Sequence, residues 1–270
     1  MIKFFRKIRQ QLLTENKFSK YFLYAVGEIV LVVIGILIAL SLNNWNQNQN
    51  EQNKIKEYAV SLIQDLEGDI IMTGQIQRQN EDIVSRIDSL NKYIHNRKIE
   101  NFSKLDLLYF TLNKPHRPYT WKRTTFTELK NSGTLGLIKN DSLAKMISEY
   151  DAFTYHLDDD FINDRIQFEK ATDLSTKVIN YNYPNLMEFR IKLLPTDNVR
   201  DYNFFESKEY LVAKSIKLEL ITKDIYQIQE MANSYSVLMM YLRIRNDDEL
   251  PNLANDAKEL IALLKETYIE

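Results

Sequence analysis

One unbroken oily run and a long succession of helical stripes divide this chain of 270 residues. Tyr21 to Leu42 is apolar at almost every position, and Glu28 is its only charge. At about 1.5 Å per residue such a run reaches about 33 Å as a helix, enough for a hydrocarbon core of about 30 Å. Asn43 to Asn53 follows as NNWNQNQNEQN, too polar to build a core and free of Gly and Pro. From Ile55 the pattern turns helical. Ile55, Tyr58, Leu62, Leu66, Ile70, Ile76, Ile83, Ile87, Leu90 and Ile94 recur at steps of mostly three and four, which predicts a helix over about 50–96. Gly68 and Gly74 are its weak points.

Shorter elements come next. Ser103 caps a helix over Leu105–Leu112, and Pro115 and Pro118 bracket a loop. Thr125 and Glu128 have capping-box spacing at the start of a short helix that ends at Gly133. Asn140 or Asp141 caps a long helix with Leu143, Ile147, Tyr150, Phe153, Leu157, Phe161, Ile162 and Ile166 on its stripe. Tyr181 to Phe205, with Pro184 and Pro195, reads as an irregular excursion. Ser207 caps a third long helix running through Leu211, Ile221, Ile228, Tyr235 and Leu242, and Asp247 to Pro251 breaks it. A last amphipathic helix carries Leu253, Ala257, Leu260, Leu264 and Tyr268. No stretch sustains period-two alternation. The predicted class is all-α: one transmembrane helix followed by an extracytoplasmic helical bundle of long antiparallel helices, of the up-and-down kind.

Charge gives the oily run a direction. Lys3, Arg6, Lys7, Arg9, Lys17 and Lys20 precede it against Glu15 alone, and no cation follows until Lys54. The positive-inside rule then places the N-terminus in the cytoplasm and the bulk of the chain in the periplasm. Tyr21, Tyr24 and Trp45 stand at the ends of the run as interface anchors. A cleaved signal peptide is the rival reading, since Ala39-Leu40-Ser41 fits a small-x-small site, but the long leader and Trp45 favour retention. Ile2, Phe5, Ile8 and Leu12, with basic residues between them, form a short amphipathic helix suited to an anionic leaflet. The predicted organisation is 1–20, cytoplasmic basic segment; 21–42, transmembrane helix; 43–54, Asn/Gln-rich juxtamembrane spacer; and 55–270, periplasmic bundle.

Composition narrows the function classes. The chain is net −2 despite its basic leader, so the exterior portion is acidic and unsuited to nucleic acid. It has no cysteine, hence no disulfide, thiolate nucleophile or cysteine metal site. No nucleophile elbow, His-Glu-x-x-His or phosphate-cradling glycine loop occurs, so an enzyme is not expected and no cofactor is implied. His156 followed by Asp158, Asp159 and Asp160 suggests a metal cluster, but no second histidine is near in sequence and no EF-hand pattern forms. The expectation there is a solvated acidic face.

Two constellations remain. On a helical wheel Gly35 and Ala39 fall within about 20° of Glu28 at 100° per residue, and Gly27 begins the same segment. Gly35-x-x-x-Ala39 permits close helix approach, and a carboxylate in a bilayer seeks another helix or water. Gly27, Glu28, Gly35 and Ala39 therefore define a face for packing against a second transmembrane helix, from another copy or a partner. The alternative is that Glu28 snorkels to the cytoplasmic interface. The segment from Tyr119 to Gly136 places Trp121, Phe126, Gly133 and Gly136 between long helices. It is either a partner-binding loop or a connection whose aromatics plug the end of the bundle.

MIKFFRKIRQ, LLTENKFSKYFLYAVGEIVLVVIGILIAL and NNWN at the start, with TTFTELKNSGTLGLIKNDSLAKMISEY further on, resemble an uncharacterised family of single-span membrane proteins from Bacteroidetes. The matching positions include Gly27, Glu28, Gly35 and Trp45 in the first patch, and Leu129, Ser132, Gly133 and Leu135 in the second. That family has no assigned activity, so the resemblance implies an inner-membrane address and little more. The expected role is a non-enzymatic assembly, scaffolding or partner-binding subunit whose partners are the lipid bilayer and another transmembrane helix. The alternative is a ligand-sensing module that signals through a separate membrane partner.

Overall fold

The computed structural model describes residues 18–98, 101–111, 118–182, 208, 210–211 and 220–269. Residues 1–17 of the basic leader, His116 and Ser207 lie outside them. The chain is all-α. Among the described residues the principal helices are α1 (Phe18–Asn96), α2 (Lys104–Thr111), α3 (Thr124–Asn131), α4 (Asp141–Val178), α5 (Ile225–Ile244) and α6 (Leu250–Tyr268). A 3-10 turn covers Thr134–Leu137 and a π turn Arg245–Glu249. Among the described residues the β pairing is one isolated bridge, Ile179 with Leu220. Two compact units divide the chain, Met1–Glu57 and Tyr58–Glu270.

In the first unit α1 is largely exposed through the apolar run and the Asn/Gln-rich residues after it, and Ile55 near its end is buried. It is long and apolar enough to cross a membrane, and its most apolar stretch has no buried residue. The Asn/Gln-rich residues remain helical, as the absence of Gly and Pro allows.

The second unit is built on a heptad seam. Ala59, Leu62, Leu66, Asp69, Thr73, Ile76, Asn80, Ile83, Ile87 and Leu90 are buried along α1 at alternating steps of three and four. Asp69, Thr73 and Asn80 occupy seam positions, which is why an apolar count alone places Ile70 on the stripe and leaves a gap after it. The same steps run along α4: Leu143, Ile147, Tyr150, Thr154, Leu157, Phe161 and Asp164 are buried. Ile162 and Ile166, expected on that stripe, are exposed.

Polar ties fix the directions of the rods. Asn91 donates to Ser236 (3.0 Å), Arg243 to Asp88 (2.9 Å) and Asn246 to the Gln77 carbonyl (2.9 Å), so α5 runs antiparallel to α1. Ile221 N–H bonds Val178 O and Arg245 pairs with Asp160 and Asp164, so α5 is also antiparallel to α4. Consequently α1 and α4 run in the same sense. The expected up-and-down order is corrected here: the chain returns from the end of α1 to the start of α4 through a crossover that contains α2 and α3.

Two boundaries also differ from expectation. The third rod begins at Ile225, where Asp224 accepts from Tyr226 N–H, and not at Ser207. Nor does the rod break at Asp247 to Pro251. Buried positions step through Tyr235, Leu238, Leu242 and Arg245, jump five residues to Leu250, and resume at Leu253, Ala257, Leu260 and Leu264. The π turn absorbs that one extra residue. Its Leu250 N–H reaches the Arg245 carbonyl, and Pro251, which has no N–H and crowds the preceding turn, sits just after it at the start of α6.

Candidate functional site

Three places gather side chains beyond plain packing. The first is the exposed face of α1. Gly27, Glu28, Gly35 and Ala39 lie on it, and a Cβ added at Gly27 or Gly35 meets no atom within 4 Å. Trp45 is exposed near the end of the run. Tyr21 and Tyr24 are helical, and their side chains lie outside the described ones.

The second is the crossover segment 118–138, held to the rods largely by carboxylates. Asp69 accepts from Lys122 N–H (2.8 Å) and from the Tyr150 hydroxyl (3.1 Å). Asp65 accepts from Thr125 N–H (3.3 Å). Asp65 thereby meets one of the otherwise orphan N–H groups at the start of α3, and Asp69 holds the chain just before it, where negative charge is favourable. The Thr125–Glu128 capping box is therefore corrected: α3 begins at Thr124 with no side-chain cap of its own, and Thr125 is already helical and buried. Burial pushes the Asp69 carboxyl above its usual range, against the opposing pull of its two donors. Gly68 lets this strand of chain lie close, since a Cβ there would stand 3.3 Å from Lys122 Cγ.

The aromatics of the segment point inward. Trp121 is 8 % exposed and donates from Nε1 to Asp158 (3.1 Å). Arg123 bridges Asp158 (2.6 Å) and Thr154 (3.0 Å) and lies 4.0 Å over the Tyr155 ring. Phe126 is buried and stacked on Tyr150 at 5.6 Å. Lys130 pairs with the buried Asp151. Gly133 ends α3 at φ 70°, the left-handed conformation its position predicted, and Gly136 is exposed in the 3-10 turn.

The third is a charged cluster between α4 and the π turn, assembled from residues far apart in sequence. His156, Asp160 and Asp164 lie at four-residue steps on α4. Arg245 bonds Asp160 Oδ1 (2.8 Å) and Glu249 Oε2, and its Nε is 3.3 Å from Asp164 Oδ2. His156 Nε2 stands 3.1 Å from Asp160 Oδ2 and 3.7 Å from Glu249 Oε1. One ligand atom from each of His156, Asp160 and Glu249 lies within 4.8 Å of the other two. The Asp164 side chain is 0 % exposed, and neither of its oxygens accepts a hydrogen bond among the described residues. Burial raises its carboxyl to about 6, Arg245 opposing and Asp160 adding to the rise. The Tyr119 hydroxyl, also buried without a hydrogen-bond partner, is pushed up by burial and next by Asp164. The solvated acidic face expected after His156 is thus confined to Asp159: Asp160 and Asp158 are drawn into contacts. A sequence window around His156 misses Glu249, Arg245 and Tyr119. The five-residue jump in the third rod is a signal for Arg245 and Glu249, and the sequence holds none for Tyr119.

Together these features define a class: an all-α chain with one N-terminal helix able to cross a membrane and a heptad-packed bundle tied by buried carboxylates. The chain belongs to the family of unknown function DUF6090, whose model matches residues 28–204. No curated protein and no solved structure matches it.

Proposed function

We propose that this protein is a single-span inner-membrane anchor for a periplasmic helical bundle, acting as a non-enzymatic assembly or partner-binding subunit. The observation that carries the reading is the apolar stretch of α1, from Phe22 to Leu42, whose large side chains are exposed. Exposed apolar area on this scale needs lipid or another helix. The six cations before the run and their absence after it support a cytoplasmic N-terminus. The resemblance of the opening residues to single-span membrane proteins from Bacteroidetes supports an inner-membrane address. The open space at Gly27 and Gly35, on the segment that also carries Glu28 and Ala39, supports a second transmembrane helix, self or partner, seated there.

Protease added to intact spheroplasts tests the orientation: digestion of residues beyond 54 is expected, and survival until the cells are opened overturns it. Crosslinking in native membranes tests the packing face, with Gly35→Leu and Glu28→Gln both expected to weaken association; unchanged association in both removes it. A second reading, a sensing module coupled to a separate membrane partner, is favoured by one feature, the buried polar cluster around Asp164 inside the bundle.

A further inference from the structure

We propose that His156, Asp160 and Glu249 form a binding site for one divalent metal ion of the zinc class, clamping α4 to the π turn. The ligand set is one imidazole and two carboxylates, a combination zinc accepts, with a fourth position left to water. Zinc–ligand bonds of about 2.0–2.1 Å in a tetrahedron put neighbouring ligand atoms about 3.3 Å apart. The distances from His156 Nε2, 3.1 Å to Asp160 and 3.7 Å to Glu249, bracket that edge.

Arg245 does not occupy the ligand atoms. It holds Oδ1 of Asp160 and Oε2 of Glu249, while Oδ2 and Oε1 face His156. This is the outer-shell arrangement in which a second group fixes the orientation of coordinating carboxylates. The His156 ring is itself held by stacking on Phe153 at 5.7 Å.

Charge gives an independent reason for a cation. Asp160, Asp164 and Glu249 surround a single guanidinium, so with all three ionised the cluster has two negative charges in excess. Asp164 is the telling member. It takes a core seam position, is fully buried, and has no hydrogen bond to either oxygen, only the Arg245 ion pair. A carboxylate in that state is costly without more positive charge nearby. A divalent ion bound by its neighbours balances the cluster. His156 is 54 % exposed, which leaves an open path for the ion from solvent.

The test uses the full chain in detergent, carrying no histidine tag and stripped by chelator. Zinc is titrated against a chromophoric competitor, and Tm is recorded with and without zinc. The expected result is one zinc per wild-type chain and a zinc-dependent rise in Tm. His156→Ala and His156→Gln are expected to lower affinity more than about 100-fold, beyond the 10–100-fold typical of an outer-shell change, and to abolish the rise in Tm. Because His156 is exposed, both variants should keep wild-type helicity by circular dichroism. Two results overturn the proposal: a wild-type chain that takes no zinc from the competitor, or variants that bind as the wild type does, which assigns the zinc to other residues such as His95. Neither bears on whether the chain spans a membrane.

Discussion

Replacing Asp69 with alanine isolates what holds the crossover to α1. Two donors lose their acceptor, Lys122 N–H at 2.8 Å and the Tyr150 hydroxyl at 3.1 Å. A hydrogen bond to a charged group contributes about 1.5–3 kcal/mol, and stranding a buried donor costs about 1–3 kcal/mol. The bond from Lys122 N–H is only part-buried, whereas Tyr150 is 2 % exposed and the bond from its hydroxyl is buried. The raised pKa of Asp69 offsets part of the loss, because burying its charge already weakens the fold. The net expectation is a loss of about 3 kcal/mol. Trp121 is buried beside the crossover, so in a Trp45→Phe background its fluorescence reports unfolding of this unit from the remaining tryptophan. In a Tyr150→Phe background no hydroxyl is left to strand, and the cost of Asp69→Ala should shrink by about 1–3 kcal/mol. An equal cost in both backgrounds refutes the tie between Asp69 and Tyr150.

Stability should also respond to pH through Asp164, whose carboxyl holds its proton to about pH 6 in the fold against 3.8 for the ordinary group. The native chain then binds more protons between those values, so this contribution is full below about pH 4 and is lost as pH rises through 6, about 1 kcal/mol of it between pH 5 and 7. Denaturant titrations in chelator should show that slope in the wild type and lose it in Asp164→Asn; parallel profiles would contradict the burial of a charge there. Gly133→Ala should cost about 1–2 kcal/mol, because its φ of 70° crowds a Cβ against the following carbonyl. A thermal melt that does not move would place that turn in another conformation.

Much of the bundle is readable from residue spacing because the apolar seam repeats every three or four residues for long stretches. The starts of α2 and α4 are readable for a local reason: Ser103 and Asn140 accept from N–H groups three residues on. The reading fails where the seam is polar. Asp69, Thr73, Asn80 and Asp164 are core positions by period and surface residues by type, so apolar counting passes over them. It fails again where capping comes from another helix, since nothing near Thr125 announces Asp65. The direction of α4 relative to α1 depends on where the crossover docks, and that docking is a set of contacts 21–60 residues apart in sequence. The charged cluster was hidden for the same reason, because Glu249 and His156 meet only after two rods align.

The extra residue in the widened turn makes the third rod tolerant of length change in one direction only. Loss of a single residue from 246–249 would keep the leucines before and after it in phase, at a cost of about 3 kcal/mol because Pro251 would then stand inside an ordinary α-helix. A residue lost elsewhere in 225–268 would rotate everything downstream by about 100° and point that row of leucines at water. Chains that have shed this residue would keep the scaffold while breaking the spacing that brings Glu249 to His156.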